Sequence, residues 1–283
     1  MSGQAVVPEA QPSALYKYRA WDADSPQNYQ ARLLTHKEIF FASPARFNDP
    51  FDCYISLSAR AGNAAETRKA LVQAVKDDPC LSQLPRKERE RFITERVVEL
   101  GNPAKVKEEQ NLELQDRVHN FGVFSLAGTK ESLVMWAHYA HSHKGLCVGL
   151  DSNVLECVIQ DLYDTKEIPG ERYLVDYVDE YPILNLLGPK RIRPGSSMNV
   201  ALTTKSRHWE YENEYRLIVC GCTDLQVSLP EEAFACVVLG CRMPEQDKNA
   251  ICEILKGWTR KVNVLQATPA DDRFALVFQE VHY

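Results

Sequence analysis

The stretch KSRHWEYENEYRLIV spans Lys205–Val219 and decides how the rest of the chain is interpreted. Its second part, Tyr211–Val219, is rich in aromatic and branched aliphatic residues, which predicts a β-strand. Carboxylates nevertheless recur at every second position, at Glu210, Glu212 and Glu214. Because alternate side chains of a strand share a face, one face is expected to serve chemistry and the other packing.

Two interpretations of this glutamate face stay open. On composition alone, Glu212 and Arg216 also fit a ladder of ion pairs on a solvated sheet surface. The functional interpretation starts from the repulsion between three neighbouring like charges, which folding alone does not explain. On that interpretation, loss of Glu214 is expected to damage function most and stability least.

Strand patterns recur on both sides of this stretch and predict an α+β fold with a mixed, mainly antiparallel β core. The other predicted strands are Leu15–Arg19, Ile39–Ala42, Cys53–Leu57, Gly122–Ala127, Gly145–Leu150, Tyr173–Val178, Val200–Thr204, Ala235–Leu239, Val262–Gln266 and Ala275–Val281. The predicted helices outside one helical block are Tyr29–Leu34, Glu131–Ala140, Val154–Leu162 and Glu245–Trp258.

The helical block occupies about residues 64–118 and is rich in Lys, Arg, Glu, Ala and Leu. Prolines at 79, 85 and 103 interrupt it, which predicts three helices. We expect these helices to form an inserted lobe, because so long a block cannot enter the sheet without breaking its pairing. The predicted organisation is a disordered tail over residues 1–14 followed by a single α+β domain over residues 15–283.

The composition excludes some classes of protein. A net charge of -6 argues against a broadly basic surface that binds nucleic acid non-specifically, although a local basic groove stays open. No apolar run reaches the roughly 18 to 20 residues that cross a bilayer, and the first residues lack a secretory signal pattern. The nine cysteines have no CxxC spacing and are predicted to be free thiols. We therefore expect a cytoplasmic protein without a membrane partner.

Candidate partners for the glutamates lie in three other segments. Lys17 and Arg19 share one face of the first strand, where a guanidinium can hold a phosphate or a carboxylate, or simply meet a neighbouring Glu. Ser125 lies in a central strand that precedes a helix. The loop FNDPFDC contains Asn48 and fits either a structural turn or a polar pocket lining.

Three histidines, His138, His141 and His143, follow one another closely at the end of the helix predicted over Glu131–Ala140. Helical spacing brings the first two together, but no carboxylate is spaced to complete a metal site. We assign no metal and interpret these histidines as polar or supporting residues.

Four motifs in order, LYKYR, FNDPFDC, FSL...LVMWAHYAHSHKGLCVGLD and KSRHWEYENEYRLI, make the chain resemble the bacterial family catalogued as domain of unknown function 2971. The resemblance covers about Leu15–Ile218. A second resemblance is to ADP-ribosyltransferases of the arginine, serine, glutamate type. Its motif residues match Arg19, Ser125 and Glu212-x-Glu214.

The second resemblance implies an ADP-ribosyltransferase-like fold and NAD as substrate. It implies that Glu214 stabilises the oxocarbenium-like transition state, that Glu212 serves the acceptor, and that Ser125 braces the site. Arg19 would grip the pyrophosphate. The remaining residues expected to bind the nucleotide are Lys17, Tyr18, Asn48, His138 and Tyr139, with Tyr18 or Tyr139 stacking on nicotinamide.

The expected function is thus an ADP-ribosyltransferase-like enzyme or NAD glycohydrolase, as found among bacterial toxins and antiphage effectors, acting on NAD or a related nucleotide. The acceptor, a protein or a nucleic acid, stays open. Two alternatives remain: a non-catalytic module that binds a nucleotide or nucleic acid, and a hydrolase or nuclease that uses the glutamates and histidines. A single cleft holding Arg19, Ser125 and Glu214 would favour the enzyme.

Overall fold

A computed structural model describes residues 12–21, 31–54, 56–58, 64–99, 112–185 and 194–283. The chain divides into two compact units. The sheet unit comprises Met1–Arg46, Phe121–Val175 and His208–Tyr283, and the helical unit comprises Phe47–Asn120 and Asp176–Arg207. The single domain inferred from the sequence stays a prediction. The predicted tail lies outside the described residues, apart from residues 12–14.

The strands are numbered along the chain. They are β1 Ala14–Arg19, β2 Glu38–Phe41, β3 Ser56–Ser58, β4 Phe121–Ala127, β5 Leu146–Asp151, β6 Gly170–Leu174, β7 Asp176–Val178, β8 Ile183–Asn185, β9 Thr204–Ser206, β10 Glu214–Cys220, β11 Leu225–Ser228, β12 Phe234–Leu239, β13 Asn263–Pro269 and β14 Leu276–Glu280.

The α-helices are α1 Arg32–Thr35, α2 Ala64–Asp77, α3 Arg86–Glu99, α4 over residues 112–119, α5 Leu133–Tyr139, α6 Ser152–Lys166, α7 Pro194–Thr203 and α8 Glu245–Lys256. Short 3-10 turns occur at Pro44–Arg46, Leu81–Gln83, Arg207–Glu212 and Glu231–Ala233.

The sheet unit is built on an eight-stranded sheet with the order β14-β13-β12-β5-β1-β4-β10-β6. All neighbouring strands are antiparallel except β12 and β13, which are parallel. The predicted α+β class with a mainly antiparallel sheet is therefore confirmed. The strands β1, β4 and β10, which carry most of the candidate residues, lie side by side.

Alternation along the strands sends side chains into two separate cores, one on each face of the sheet. Leu15 belongs to the larger core, which also contains apolar residues of α1, α6 and α8. Tyr18 belongs to the smaller core, where α5 contributes the fully buried Trp136. The indole of Trp136 meets the Tyr18 ring edge to face with a centroid distance of 5.3 Å. The helix α5 is thus anchored on the face of the sheet that carries Tyr18.

The helical unit contains α2, α3, α4 and α7, with two short parallel strand pairs, β3 with β8 and β7 with β9. Its small apolar core brings Leu71 and Val75 of α2 against Ile93 of α3. The sequence predicts three helices over residues 64–118, and α2, α3 and α4 lie in that segment. No helix in the described ranges combines the length and the hydropathy that a membrane crossing requires.

Two of the predicted strands are wrong or shortened. The strand predicted over Val200–Thr204 is wrong up to Thr203, where α7 ends, because the helix-favouring Ala201 and Leu202 are both buried in that helix. The strand predicted from Cys53 begins only at Ser56, since Cys53 takes a positive φ of 52° in a turn. A third predicted strand, Tyr173–Val178, is broken at Val175 into the end of β6 and the whole of β7, which belong to different sheets. A further difference, at the start of β10, shapes the candidate site.

Candidate functional site

The strand β10 begins at Glu214, three residues later than the sequence predicts. Residues Arg207–Glu212 form a 3-10 turn, and Asn213 links the turn to the strand with a φ of 43°. Asn tolerates this left-handed conformation better than most residues, and glutamates resist strand formation. The predicted strand face with Glu210, Glu212 and Glu214 is therefore wrong: Glu210 is exposed in the turn, while Glu212 and Glu214 are buried.

Glu214 forms a buried ion pair with Arg216, two residues along the same strand face. Arg216 donates from Nε to one carboxylate oxygen at 2.9 Å and from a terminal nitrogen to the other at 3.0 Å. Glu214 is 3% exposed and Arg216 is fully buried. A bidentate ion pair of this kind fixes the orientation of the carboxylate. The repulsion expected among the glutamates is thus offset at Glu214.

Glu212 is held by a different donor. The Tyr139 hydroxyl, at the end of α5, donates to a carboxylate oxygen of Glu212 at 2.6 Å. Two further rings lie beside this contact, because Tyr211 has ring-centroid distances of 6.3 Å to His138 and 5.9 Å to Trp209. The buried Glu212 therefore has half-exposed aromatic side chains near it.

The residue between the two carboxylates is fixed by the loop that follows β4. The backbone N–H of Gly128 donates to the carbonyl oxygen of Asn213 at 2.7 Å. A Cβ atom at position 128 would lie 2.4 Å from Nδ2 of Asn213, so a larger residue there would displace the Asn213 side chain. The Tyr18 hydroxyl donates to the carbonyl oxygen of Thr129 at 2.8 Å and holds the same loop.

The strand register shows which predicted site residues share a face. Ser125 lies opposite Arg216, and Ala127 lies opposite Glu214 on one side and Tyr16 on the other. Residues directly opposite each other point to the same face of a sheet. Ser125, Glu214 and Tyr18 therefore lie on one face, the face that also carries α5.

Lys17 and Arg19 alternate with Tyr16 and Tyr18 along β1 and therefore lie on the other face. The Lys17 ammonium donates to the backbone carbonyl of Ser125 at 2.5 Å and lies 4.7 Å from the centroid of Phe124. Burial lowers the pKa of Arg19 to about 10. The structure thus does not gather Arg19 with Ser125 and Glu214 in one cleft, because the sheet separates their side chains.

Asn48 lies in the helical unit, where its side chain is exposed. In the same loop the Asp49 carboxylate accepts from the backbone N–H of Phe51 at 2.9 Å, as expected of a structural turn. Asp52 forms a buried ion pair of 3.4 Å with Lys205. The sequence analysis missed this pair, although both residues stand in the motifs that carry the family resemblance.

The histidines and cysteines do not form a metal site in the described ranges, where no three His, Cys, Asp or Glu side chains are grouped closely enough. All nine cysteines are free thiols, as predicted. Burial raises the pKa of Cys147 and of Cys236, so both thiols stay protonated at neutral pH. Neither of these two thiols is a candidate nucleophile.

Residues 135–217 match the model of a family described as a protein of unknown function, DUF2971. The matched segment runs from α5 into β10 and contains Tyr139, Glu212, Glu214 and Arg216. The match supports the resemblance to this family. No curated protein and no solved structure matches the chain, so the resemblance to ADP-ribosyltransferases and the fold that it implies receive no support from relatives.

Proposed function

We propose that the chain is an ADP-ribosyltransferase-like enzyme or NAD glycohydrolase whose reacting groups are the carboxylates at the start of β10. One observation carries the proposal. Glu212 and Glu214 are both buried, lie two residues apart, and are each oriented by a different donor, Tyr139 and Arg216. Most enzymes that hydrolyse glycosidic bonds use a pair of carboxylates.

The reaction breaks the bond between C1′ of the ribose and the nitrogen of nicotinamide. The bonding electrons leave with nicotinamide, which becomes neutral, while C1′ acquires oxocarbenium character. A nearby carboxylate stabilises this charge as it develops. Water or an acceptor nucleophile then bonds to C1′, and the second carboxylate takes its proton.

The roles follow from the contacts of each carboxylate. Arg216 donates one hydrogen bond to each oxygen of Glu214 and so orients the carboxylate that is proposed to contact a ribose hydroxyl and the developing charge. Tyr139 donates to one oxygen of Glu212 and so orients the carboxylate that is proposed to take the proton of the nucleophile. Ser125, opposite Arg216 in the sheet, supports the pair from the next strand.

Fewer residues are proposed to contact the nucleotide than the sequence suggests. Tyr18 is 4% exposed, so its ring serves packing and cannot stack on nicotinamide. Tyr139 and His138 remain candidates because Tyr139 is half-buried and His138 is exposed. Lys17 and Arg19, on the other face, are left out of the proposed NAD site.

The test is the release of nicotinamide from NAD and the transfer of labelled ADP-ribose to proteins and nucleic acids. We expect release by the wild type and a loss of roughly 10² to 10³-fold in E212Q and in E214Q, by analogy with removal of one transition-state contact. The matched control is E210Q, because Glu210 lies in the same 3-10 turn but is exposed. Equal rates in all four proteins would remove the carboxylates from the mechanism.

A binding module without turnover is the second candidate. It is favoured by the fact that Arg216 contacts both oxygens of Glu214, which lowers the negative charge available to a developing cation. Calorimetric titration with NAD distinguishes the two functions. Binding of NAD without any nicotinamide release favours the module.

A further inference from the structure

The sheet unit has a concave site beside the start of α5. A groove of about 560 Å³ lies between the start of α5, the turn after this helix and the hairpin formed by β13 and β14. This volume falls within the range of small-molecule sites. The residues used below are Leu133, His143, Arg242, Phe274 and Leu276, none of which belongs to the proposed NAD site.

A costly backbone conformation holds His143 in this groove. His141, Ser142 and His143 have φ values of 48°, 54° and 68°, in a left-handed region that costs non-glycine residues free energy. The backbone N–H of His143 donates to the carbonyl oxygen of Trp136 at 3.1 Å, and the carbonyl of His143 accepts from the N–H of Arg242 at 3.0 Å. These hydrogen bonds fix the left-handed backbone from which the His143 imidazole projects.

The imidazole ring of His143 is held by stacking, and the described part of the chain leaves one of its nitrogens without a hydrogen-bond partner. It stacks on the buried indole of Trp136 with a centroid distance of 6.3 Å and an interplanar angle of 11°. Its Nδ1 atom is buried and finds no hydrogen-bond partner within the described part of the chain. Burial and the neighbouring Arg242 lower the pKa of His143, so that the ring is neutral at pH 7 and able to donate or accept a hydrogen bond.

The rest of the groove combines apolar walls with two arginines, Arg242 and Arg273. Leu133 and Leu276 line the groove, and Phe274 at the hairpin tip is fully exposed. The exposed Arg242 lies beside His143. The hairpin also brings Asp271 and Asp272 to the rim, and Arg273 forms an ion pair of 3.2 Å with Asp272. An anionic group is therefore attracted towards Arg242 and repelled from the Asp271 side.

We propose that this groove binds a small ligand in which an aromatic ring carries an anionic group. The anion pairs with Arg242 and accepts a hydrogen bond from the His143 imidazole, and the ring packs against Leu133, Leu276 and Phe274. Both nucleoside monophosphates and aromatic carboxylates have this chemistry. The proposal is independent of NAD cleavage, because the groove and the carboxylates of β10 share no residue.

Calorimetric titration of the full chain with AMP and, separately, with benzoate tests the proposal and distinguishes the two ligand sources. The variants are R242Q, which removes the guanidinium, and H143N, which removes the imidazole but keeps a residue that tolerates the left-handed backbone. F274A removes the exposed ring. The matched control is R91Q, which removes another exposed arginine, in α3.

We expect at least one of the two probes to bind the wild type and R91Q alike, and to bind R242Q at least about tenfold more weakly. H143N and F274A are expected to weaken binding of the same probe. Melting curves of the variants show that each remains folded. The proposal is overturned if neither probe binds the wild type, or if R242Q and R91Q bind equally well.

Discussion

The pair formed by Glu214 and Arg216 changes what a substitution at Glu214 is expected to do. From the sequence alone, removal of one of three like charges should leave stability level or raise it. In the structure Arg216 is fully buried, so loss of its counter-charge leaves a guanidinium in the interior. Removing one partner of a buried ion pair costs about 3 to 5 kcal/mol.

We therefore predict that E214Q lowers the free energy of unfolding, measured in urea, whereas E210Q leaves it nearly unchanged. The double variant E214Q/R216M should recover part of the loss, because it also removes the buried guanidinium that Glu214 pairs with in the wild type. A wild-type urea midpoint for E214Q would contradict the energetic role assigned to the pair.

Gly145 offers a second test on a single residue, at the point where β5 begins beside the end of β1. A Cβ atom at position 145 would lie 2.1 Å from the backbone carbonyl oxygen of Arg19. Backbone cannot give way as a flexible side chain does, so G145A should cost about 1 to 3 kcal/mol. The control is G257A, because the nearest atom to its Cβ lies at 3.3 Å. Equal thermal unfolding of the two variants would refute this account of the strand ends.

At the scale of elements, Glu231 ties three segments of the sheet unit together. Its carboxylate accepts from Lys37 before β2 at 2.8 Å, and from the Thr259 hydroxyl and the Arg260 N–H after α8 at 2.7 Å each. These hydrogen bonds, led by that of Lys37, lower the pKa of Glu231 from 4.5 to about 2. The carboxylate form is therefore favoured by folding.

The lowered pKa of Glu231 makes the free energy of unfolding depend on pH. A carboxyl with a lowered folded-state pKa stabilises the fold above its unfolded value, and the contribution is lost as the pH falls from 4.5 to about 2. We predict that the difference in unfolding free energy between wild type and E231Q shrinks over this interval. Urea unfolding at several pH values measures it, and a difference that stays constant with pH would contradict the role of Glu231.

Some strands of the fold are predictable from the sequence, whereas one helix end and one turn are not. The strands β1, β4 and β10 are recognisable because each alternates or concentrates branched and aromatic residues. The end of α7 resembles a strand in sequence, because its local composition does not reveal that Ala201 and Leu202 are both buried in a helix. The turn Arg207–Glu212 also resembles a strand, because aromatic residues suit both conformations.

The candidate site is predictable only in part, for a related reason. The spacing of acidic residues along the chain is enough to single out Glu212 and Glu214. The donor of Glu212 does not emerge from the sequence, because Tyr139 comes 73 residues earlier and meets it only through the tertiary fold. The face of Arg19 relative to Ser125 depends on how β1 and β4 pair, and that register is a non-local property.

At the scale of the whole molecule, every strand of the large sheet comes from the sheet unit. The chain leaves this unit at Arg46 and returns at Phe121, and these points are close because Ala42 pairs with Val123. We predict that the sheet unit folds when short Gly/Ser linkers replace Phe47–Asn120 and Asp176–Arg207.

Hydrogen exchange measures this outcome. The amides of β5, which lies between β1 and β12, should be protected in the shortened chain as they are in the full chain. The full chain with L150D, which places a charge in the core of β5, serves as the unfolded control. Exchange of the β5 amides at the rate of this control would show that the helical unit is needed for the sheet to form.

The position of β1 in the sheet has a consequence for synthesis on the ribosome. Among the strands of the large sheet this one is synthesised before the others, yet its neighbours are β4, which begins at Phe121, and β5, which begins at Leu146. Roughly 100 residues separate β1 from β4, and at about 5 to 20 residues per second the ribosome needs on the order of 5 to 20 s to make them. Throughout that time Leu15 has no sheet to pack into, so the nascent chain is exposed to mispairing and to capture by chaperones. Slow translation of the helical segment lengthens this interval, and the yield of folded protein should fall with it.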